Sequence, residues 1–370
     1  MRYVDEFRDP DKARSLIASI RRLATQPWRI MEVCGGQTHA LLRYGIEDEL
    51  RDVVELLHGP GCPVCVTPVE AIECALSLSM RPGVILASFG DMLRVPGVNQ
   101  SLLQARAAGA NVRIVYSPLD AVTLAQREPD REIVFFAVGF ETTAPATALA
   151  ILQADQLGLR NFSLVCSHVR VQPAMEELAQ SADCCVDGFL AAGHVCTVMG
   201  YDSYHEFVER FRLPVVVTGF EPLDLLTGIH ECVRQLQFEE ATVANQYGRS
   251  VRAEGNLQAR RVIDEVFEFC DRPWRGLGVI PGGGLALRRQ WQQYDAQLRF
   301  AVEPSVQADL SPCPSGDVMA GRLRPTQCPH FGKSCTPESP LGAPMVSSEG
   351  ACAAFHRYRS SEPVTIDIRS

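Results

Sequence analysis

Short apolar runs alternate along this chain with segments whose apolar residues recur at helical spacing. Largely apolar runs occur at 28–33, 84–89, 133–138 and 188–192, and a loop and a helix-like segment follow each of them. Near-continuous apolar strands that alternate with helices are typical of a parallel sheet covered on both faces. The pattern therefore predicts an α/β protein whose ligand-binding loops lie at the carboxyl ends of the strands.

The strand–loop–helix pattern repeats after residue 118, so we divide the chain into segments 1–118, 119–227 and 228–370. The first carries the loops CGGQTH, CPVC and GDMLRVPG, and the second carries a GFETT loop and a Gly-His loop. In the third, residues 228–270 are predicted to be largely helical. The remaining tail is rich in Pro, Gly, Ser and Cys and shows little periodicity, so it needs an organiser other than a large apolar core.

Two thiols separated by two residues, Cys62 and Cys65, follow a predicted strand that ends at His58. Such a pair can bind a metal or pass electrons as a dithiol–disulfide couple. The segment behind it predicts a helix capped by Thr67, with Glu70 completing a capping box. Because the CGGQTH, CPVC and GDMLRVPG loops all follow strands, we expect them to gather along one edge.

Composition narrows the functional class. The chain has 14 cysteines and a formal charge of −9, and the charge argues against non-specific nucleic-acid binding. No apolar run approaches the roughly 18 residues of a membrane helix, and the N-terminal residues lack a signal-peptide pattern. We therefore expect a cytoplasmic protein without membrane contact. Many thiols in a reducing compartment indicate metal or redox chemistry.

Four cysteines lie in the loop-rich tail, separated by fourteen, six and sixteen residues: Cys313, Cys328, Cys335 and Cys352. Four thiols in a helix-poor segment predict a Cys₄ zinc site or an iron–sulfur cluster. Neither the paired CxxC of zinc ribbons nor the ferredoxin run CxxCxxC is present. The spacing alone therefore leaves both metals open.

Five motifs together resemble the HypD family of [NiFe]-hydrogenase maturation factors. They are CGGQTH at 34–39, GPGCPVC at 59–65, GDMLRVPG at 90–97, GFETT at 139–143 and MVSSEGAC at 345–352. The tail spacing also matches the cluster motif of that family, and the resemblance covers essentially the whole chain.

The resemblance implies two parallel-sheet α/β domains flanking a cleft and a small loop-rich C-terminal domain with a [4Fe-4S] cluster. It implies a scaffold for assembling the Fe(CN)2CO group of the hydrogenase, rather than a conventional turnover enzyme. The implied partners are the small chaperone HypC and the cyanide donor HypE, which works with HypF. The implied iron ligand is Cys34, and the implied redox pair is Cys62 and Cys65. The implied cluster ligands are Cys313, Cys328, Cys335 and Cys352.

Three further side chains are candidates for the same site. His39 could donate a hydrogen bond, carry a proton or cap its helix. His194 could face the cleft from the second α/β half, and Asp91 could form a polar support with Arg94 or only a surface ion pair. Three alternatives stay open: CPVC as half of a metal site with Cys34, a structural zinc tail, and a stand-alone cluster-linked thiol–disulfide oxidoreductase.

Overall fold

The computed structural model describes residues 4–302 and 311–359. Its strands are β1 (Trp28–Glu32), β2 (Val54–His58), β3 (Val84–Ser88), β4 (Val112–Ile114), β5 (Glu132–Gly139), β6 (Phe162–His168), β7 (Gly188–Ala192), β8 (Val215–Thr218), β9 (Val243–Asn245), β10 (Phe267–Trp274) and β11 (Gly278–Leu287). Its helices are α1 (Pro10–Leu23), α2 (Gly35–Arg43), α3 (Ile46–Leu50), α4 (Pro63–Val66), α5 (Val69–Ser79), α6 (Leu102–Ala107), α7 (Pro118–Arg127), α8 (Ala144–Gln156), α9 (Val171–Gln180), α10 (Gly193–Met199), α11 (Tyr204–Phe211), α12 (Pro222–Gln237), α13 (Leu257–Val266), α14 (Ala296–Arg299), α15 (Ser315–Met319) and α16 (Ala351–Arg359). Short 3₁₀ turns occur at Asp5–Phe7, Gly90–Arg94, Arg289–Tyr294, Pro325–Gln327 and Ala343–Met345.

The strands form two parallel sheets and one hairpin, which confirms the predicted α/β class. The first sheet has the order β2-β1-β7-β8-β9 and the second has the order β4-β3-β5-β6. Strands β10 and β11 pair antiparallel. Every residue of β3, β6, β7 and β8 is buried, as expected for a parallel sheet whose two faces are covered.

Helices cover both faces of each sheet. In the first sheet, Ile30, Leu190 and Val216 pack with α1 and α12, and the opposite face packs against α9 and α11. In the second sheet, α7, α8 and α13 cover one face, and α5 and α6 cover the other. The apolar cluster on the α9 side of the first sheet also includes Phe140, which follows β5, and Trp274 of β10, so this face of the first sheet packs against the loop after β5 and against the hairpin.

The chain builds the second sheet in the middle of the first. It leaves the first sheet after β2, forms β3 to β6, and returns with β7, because β1 pairs with β7. The predicted division at residue 118 therefore falls inside the second sheet, between β4 and β5. The division at residue 227 falls inside α12. The two sheets do not follow these divisions, because the chain crosses to the second sheet after β2 and returns to the first sheet with β7.

Two local predictions were wrong. Residues 228–270 are not largely helical: α12 ends at Gln237, β9 adds a strand to the first sheet, and β10 begins at Phe267. The glycine-rich stretch that follows β10 in the chain forms β11. Strand β10 forms because its backbone pairs with β11. Thr67 does not cap the next helix. Thr67 is the C-cap of α4, where its hydroxyl donates to the carbonyl of Pro63, and Pro68 occupies the N-cap of α5.

None of the helices within residues 4–302 and 311–359 has the length and apolar character needed to span a membrane.

We expect Phe135→Ala in β5 to lower the free energy of unfolding by about 3–5 kcal/mol, because the ring is fully buried and packs edge-on against Phe89. Phe238→Ala is the matched control, since that ring is 62% exposed and should change stability by no more than about 0.5 kcal/mol. Denaturant unfolding measures both. Equal losses would contradict the placement of β5 in the core.

Candidate functional site

The strand order of the first sheet selects one place for a ligand. In the order β2-β1-β7-β8-β9 the chain proceeds outward in opposite directions from the boundary between β1 and β7. Ligands in open α/β sheets bind outside the carboxyl ends of the strands at such a switch point. Cys34 follows β1 and His194 follows β7, so the fold brings two predicted site residues to this position.

Cys34 caps α2 and is almost fully buried, with 2% of its surface exposed. The Gly35 amide donates to the Gly61 carbonyl at 2.9 Å, which joins this loop to the CPVC loop. A Cβ on Gly36 would lie 3.2 Å from the Phe220 ring. A side chain at position 36 would therefore fill part of the space between the Cys34 sulfur and Phe220, which glycine leaves open.

His194 is the side chain that contacts the Cys34 sulfur, with its Nε2 3.5 Å from Sγ. The imidazole stacks on Phe220 with 5.1 Å between ring centroids. Burial lowers the pKa of His194, so the ring is neutral at physiological pH and one nitrogen can accept a proton. Burial also raises the pKa of Cys34, and the charge on Glu32 raises it further.

Cys62 and Cys65 form a disulfide. Both are buried, and both belong to the apolar cluster that contains Cys34. A Cβ on Gly61 would lie 2.3 Å from the Cys34 nitrogen, so the CPVC loop packs directly on the Cys34 backbone. In this state both sulfurs are used by the S–S bond.

A buried charged network beneath Cys34 was missed by the sequence reasoning. Glu32, fully buried at the end of β1, accepts a hydrogen bond from the Cys34 amide at 2.8 Å. Its other oxygen accepts from the Thr38 hydroxyl and lies 2.9 Å from His58 Nδ1. His58 Nε2 lies 3.7 Å from Glu47. The signal in the sequence was the one acidic residue inside an apolar strand.

This network reaches the C-terminal segments. Glu47 pairs with Arg359 of α16 at 3.2 Å and with Arg324 at 3.5 Å. Burial by itself lowers the pKa of His58, but hydrogen bonds and charges from Glu32 and Glu47 outweigh it and raise that pKa to about 9. His58 is therefore a buried cation that joins two carboxylates.

Asp91 approaches the site from the second sheet. It forms a half-exposed ion pair with Arg94 at 3.3 Å, of the kind that contributes under about 1 kcal/mol. Arg94 also donates to the Val346 carbonyl at 2.8 Å, which ties the GDMLRVPG loop to the tail. The GDMLRVPG loop follows β3 and thus lies at the switch point of the other sheet, between β3 and β5.

Glu349 also lies at this site, and the sequence reasoning gave it no role. Burial raises its pKa, and the nearby charge of Asp91 raises it further. Its own charge in turn raises the pKa of Cys34, and its backbone packs on Gly35. The available signal was an acidic residue among small residues in the segment MVSSEGAC.

His39 lies apart from Cys34. Its Nε2 is 3.0 Å from the Tyr358 hydroxyl, and the two rings pack edge to face. Burial, Arg357 and Arg43 lower its pKa. The structure thus brings Cys34 and His194 together, whereas the His39 side chain, on α2, packs against α16.

The four tail cysteines line one small cavity. They are Cys313, Cys328, Cys335 and Cys352. Burial, together with the neighbouring thiols, raises the pKa of Cys313 to about 11. Among residues 4–302 and 311–359, no three Cys, His, Asp or Glu side chains form a group that could hold a metal ion.

One short turn separates this cavity from the CPVC loop. Pro344 and Met345, in the turn Ala343–Met345, line the cavity. The other side of the same turn contacts α4, which carries Cys65. The tail cavity, the disulfide and Cys34 therefore follow one another through the core.

We expect the stability of the protein to fall as the pH rises from about 6.5 through 9, because the folded state holds the His58 proton more tightly than the unfolded chain does. The stabilisation is fully present below the unfolded pKa and is lost above the folded one. His58→Gln should flatten this part of the pH profile, measured as the denaturant midpoint. His205→Gln, at an exposed histidine, should leave the profile unchanged. An unaltered profile in His58→Gln would contradict the charged network.

Comparisons with known proteins agree with the sequence motifs. The model of the HypD family, described as "Hydrogenase formation hypA family", matches residues 11–359. The chain is 48% identical to the hydrogenase maturation factor HypD of Azotobacter vinelandii, over the full length of both chains. It is 46% identical to the protein of that name from Escherichia coli K12, over 98% of this chain and 99% of the relative. For Cupriavidus necator the identity is 43%, over 97% of both. This chain belongs to the HypD family of hydrogenase maturation factors.

Proposed function

We propose that this chain holds the iron of the Fe(CN)2CO group at Cys34 while that group is assembled for a [NiFe] hydrogenase. In this proposal the small chaperone HypC binds beside the site, and HypE, working with HypF, delivers cyanide. The observation that supports it most is the place of Cys34: a thiol at the switch point, 3.5 Å from a histidine and next to a CPVC disulfide. A thiolate suits a low-spin iron that carries strong-field ligands.

Iron binding at Cys34 requires loss of the thiol proton, since the thiolate is the ligand. Burial and the charge of Glu32 disfavour a thiolate in the absence of a cation. His194 is neutral and within reach of the sulfur, so it is placed to accept this proton as iron binds. The cargo iron then supplies the positive charge that stabilises the buried thiolate.

The CPVC pair is proposed to store two electrons for the cargo chemistry. Reduction breaks the S–S bond with uptake of two electrons and two protons and leaves two thiols, and oxidation reverses this. The pair lies in the core and packs on the Cys34 backbone, which suits a redox couple that acts on a group held at Cys34.

The tail is proposed to hold a [4Fe-4S] cluster. The four thiols line one cavity without forming a metal-holding group as they stand. Four thiolates are the ligand number that such a cluster takes, and the resemblance to HypD selects it over zinc. The ligands would be Cys313, Cys328, Cys335 and Cys352. When bound, the cluster supplies single electrons and organises the tail. The turn Ala343–Met345, which contacts both the cavity and α4, would separate such a cluster from the CPVC helix.

We expect Cys34→Ala to abolish carriage of the ligated iron, because the proposed ligand is removed. The chain, purified anaerobically with HypC, should lose the infrared bands of bound CO and cyanide and keep the visible absorbance of the tail cluster. Cys184→Ala, at a half-buried thiol that donates to the Val186 carbonyl, is the control and should keep both signals. Retention of the bands in Cys34→Ala would show that another residue binds the iron.

We expect Cys328→Ala to lose the visible absorbance and most of the iron of the tail, because a cluster ligand is missing. Elemental analysis of the anaerobic wild-type protein should give about four iron atoms and little zinc. A full complement of zinc would instead support the structural-zinc alternative. Unchanged iron content in Cys328→Ala would contradict the ligand assignment.

Membership of the HypD family does not favour the stand-alone thiol–disulfide oxidoreductase. That alternative predicts turnover of a disulfide substrate with no iron at Cys34. The infrared spectra of the wild-type complex separate the two functions, because only the maturation scaffold gives bands from bound CO and cyanide.

A further inference from the structure

The loop after β9 carries an aromatic ring that lies across the ends of two neighbouring strands. Strands β7, β8 and β9 pair in parallel, and their registers, continued past the strand ends, place Tyr247 in one row with Gly219 and Gly193. These glycines are the first residues after β8 and β7. The Gln246 amide donates to the Val217 carbonyl at 2.9 Å, so pairing with β8 holds the chain up to the residue before Tyr247.

The Tyr247 ring packs directly on both glycines. A Cβ on Gly193 would lie 2.6 Å from the ring, and a Cβ on Gly219 would lie 2.5 Å from it. Side chains do not approach so closely, so only glycine at both positions leaves room for the ring. The Arg249 guanidinium lies 4.5 Å from the ring centroid and is itself bound to the buried Asp224. The ring thus contacts two backbones and a cation that is held in place.

Each glycine precedes a side chain of the candidate site. His194, which follows the first glycine, has its Nε2 3.5 Å from the Cys34 sulfur. Phe220, which follows the second, stacks on the imidazole with an angle of 18° between the rings. The Tyr247 ring meets Phe220 edge to face, with 6.2 Å between centroids. One ring therefore contacts the backbone before each member of the stack and also the stack itself.

We propose that Tyr247 is a positioning residue, which holds the His194 imidazole against the Cys34 sulfur. It acts through the two glycine backbones and through the edge contact with Phe220. The ring carries this role rather than the hydroxyl, because ring carbons make the contacts with both glycines. The consequence for the cargo rests on the proposed function, in which iron binds at Cys34 beside this histidine.

The test is nuclear magnetic resonance of the histidine rings in the full-length chain, isotopically labelled at histidine and free of cargo. The stacked Phe220 ring displaces the His194 signal through its ring current, and His194→Gln assigns that signal by its loss. Tyr247→Leu should move the signal toward the position of an exposed histidine, because the stack loosens. Tyr247→Phe, which keeps the ring, should retain the wild-type signal. Tyr116→Leu removes a tyrosine that is 91% exposed and should leave the signal unchanged.

Infrared spectra of the anaerobic complex with HypC give a second readout. Tyr247→Leu should shift the bands of bound CO and cyanide, as His194→Gln should, because the imidazole lies beside the iron ligand. In the His194→Gln background, Tyr247→Leu should cause no additional shift, since it acts through that histidine. An additive shift would overturn the inference.

The His194 signal decides the inference in the cargo-free chain. A wild-type signal in Tyr247→Leu would overturn it, and so would a signal in Tyr247→Phe that is displaced as far as in Tyr247→Leu. If Tyr247→Leu does not fold, Tyr247→Met fills more of the space and must move the signal in the same direction. A wild-type complex without CO and cyanide bands would contradict the proposed function, whereas the His194 signal would still decide the position of the imidazole.

Discussion

The pairing of β1 with β7 is the contact on which the site depends. It brings together the carboxyl ends of two strands whose following residues, Cys34 and His194, are 160 positions apart in the chain. It also joins the two parts of the first sheet, which the second sheet separates along the chain. Without this pairing the cysteine would be a buried thiol before a glycine turn, with no histidine beside its sulfur.

The Cys34 thiol lies inside an apolar core, and charged groups surround it at two distances. Next to the sulfur, burial and carboxylates disfavour the thiolate, so a cation is required for it to form. One step further away, the protonated His58 joins Glu32 to Glu47, and two arginines from the C-terminal part complete the network. Burying charges in such a network lowers the stability of the fold unless every member is paired. It connects the site to α16, so folding of the tail and order at Cys34 are linked.

The three groups of cysteines follow a physical order. The tail thiols surround a cavity, one short turn separates that cavity from the CPVC helix, and the CPVC loop packs on the backbone of Cys34. A chain that moved electrons between the tail and Cys34 would need this proximity, and the proposed function uses it.

Much of this protein is readable from local pattern. Apolar runs predict strands in both sheets, and glycines and cysteine spacing mark the loops. The combined motifs identify the family. Each of these signals depends only on residues that are neighbours in the chain. The positions of β9, β10 and β11 and the partners of Glu32 and Glu349 are not readable in this way. Parallel strands pair across long stretches of chain, and a buried charge has a role only once distant segments surround it. His39 and His194 look alike in the sequence, each in the first turns of a helix after a strand, yet tertiary packing puts His194 on the Cys34 sulfur and His39 on Tyr358.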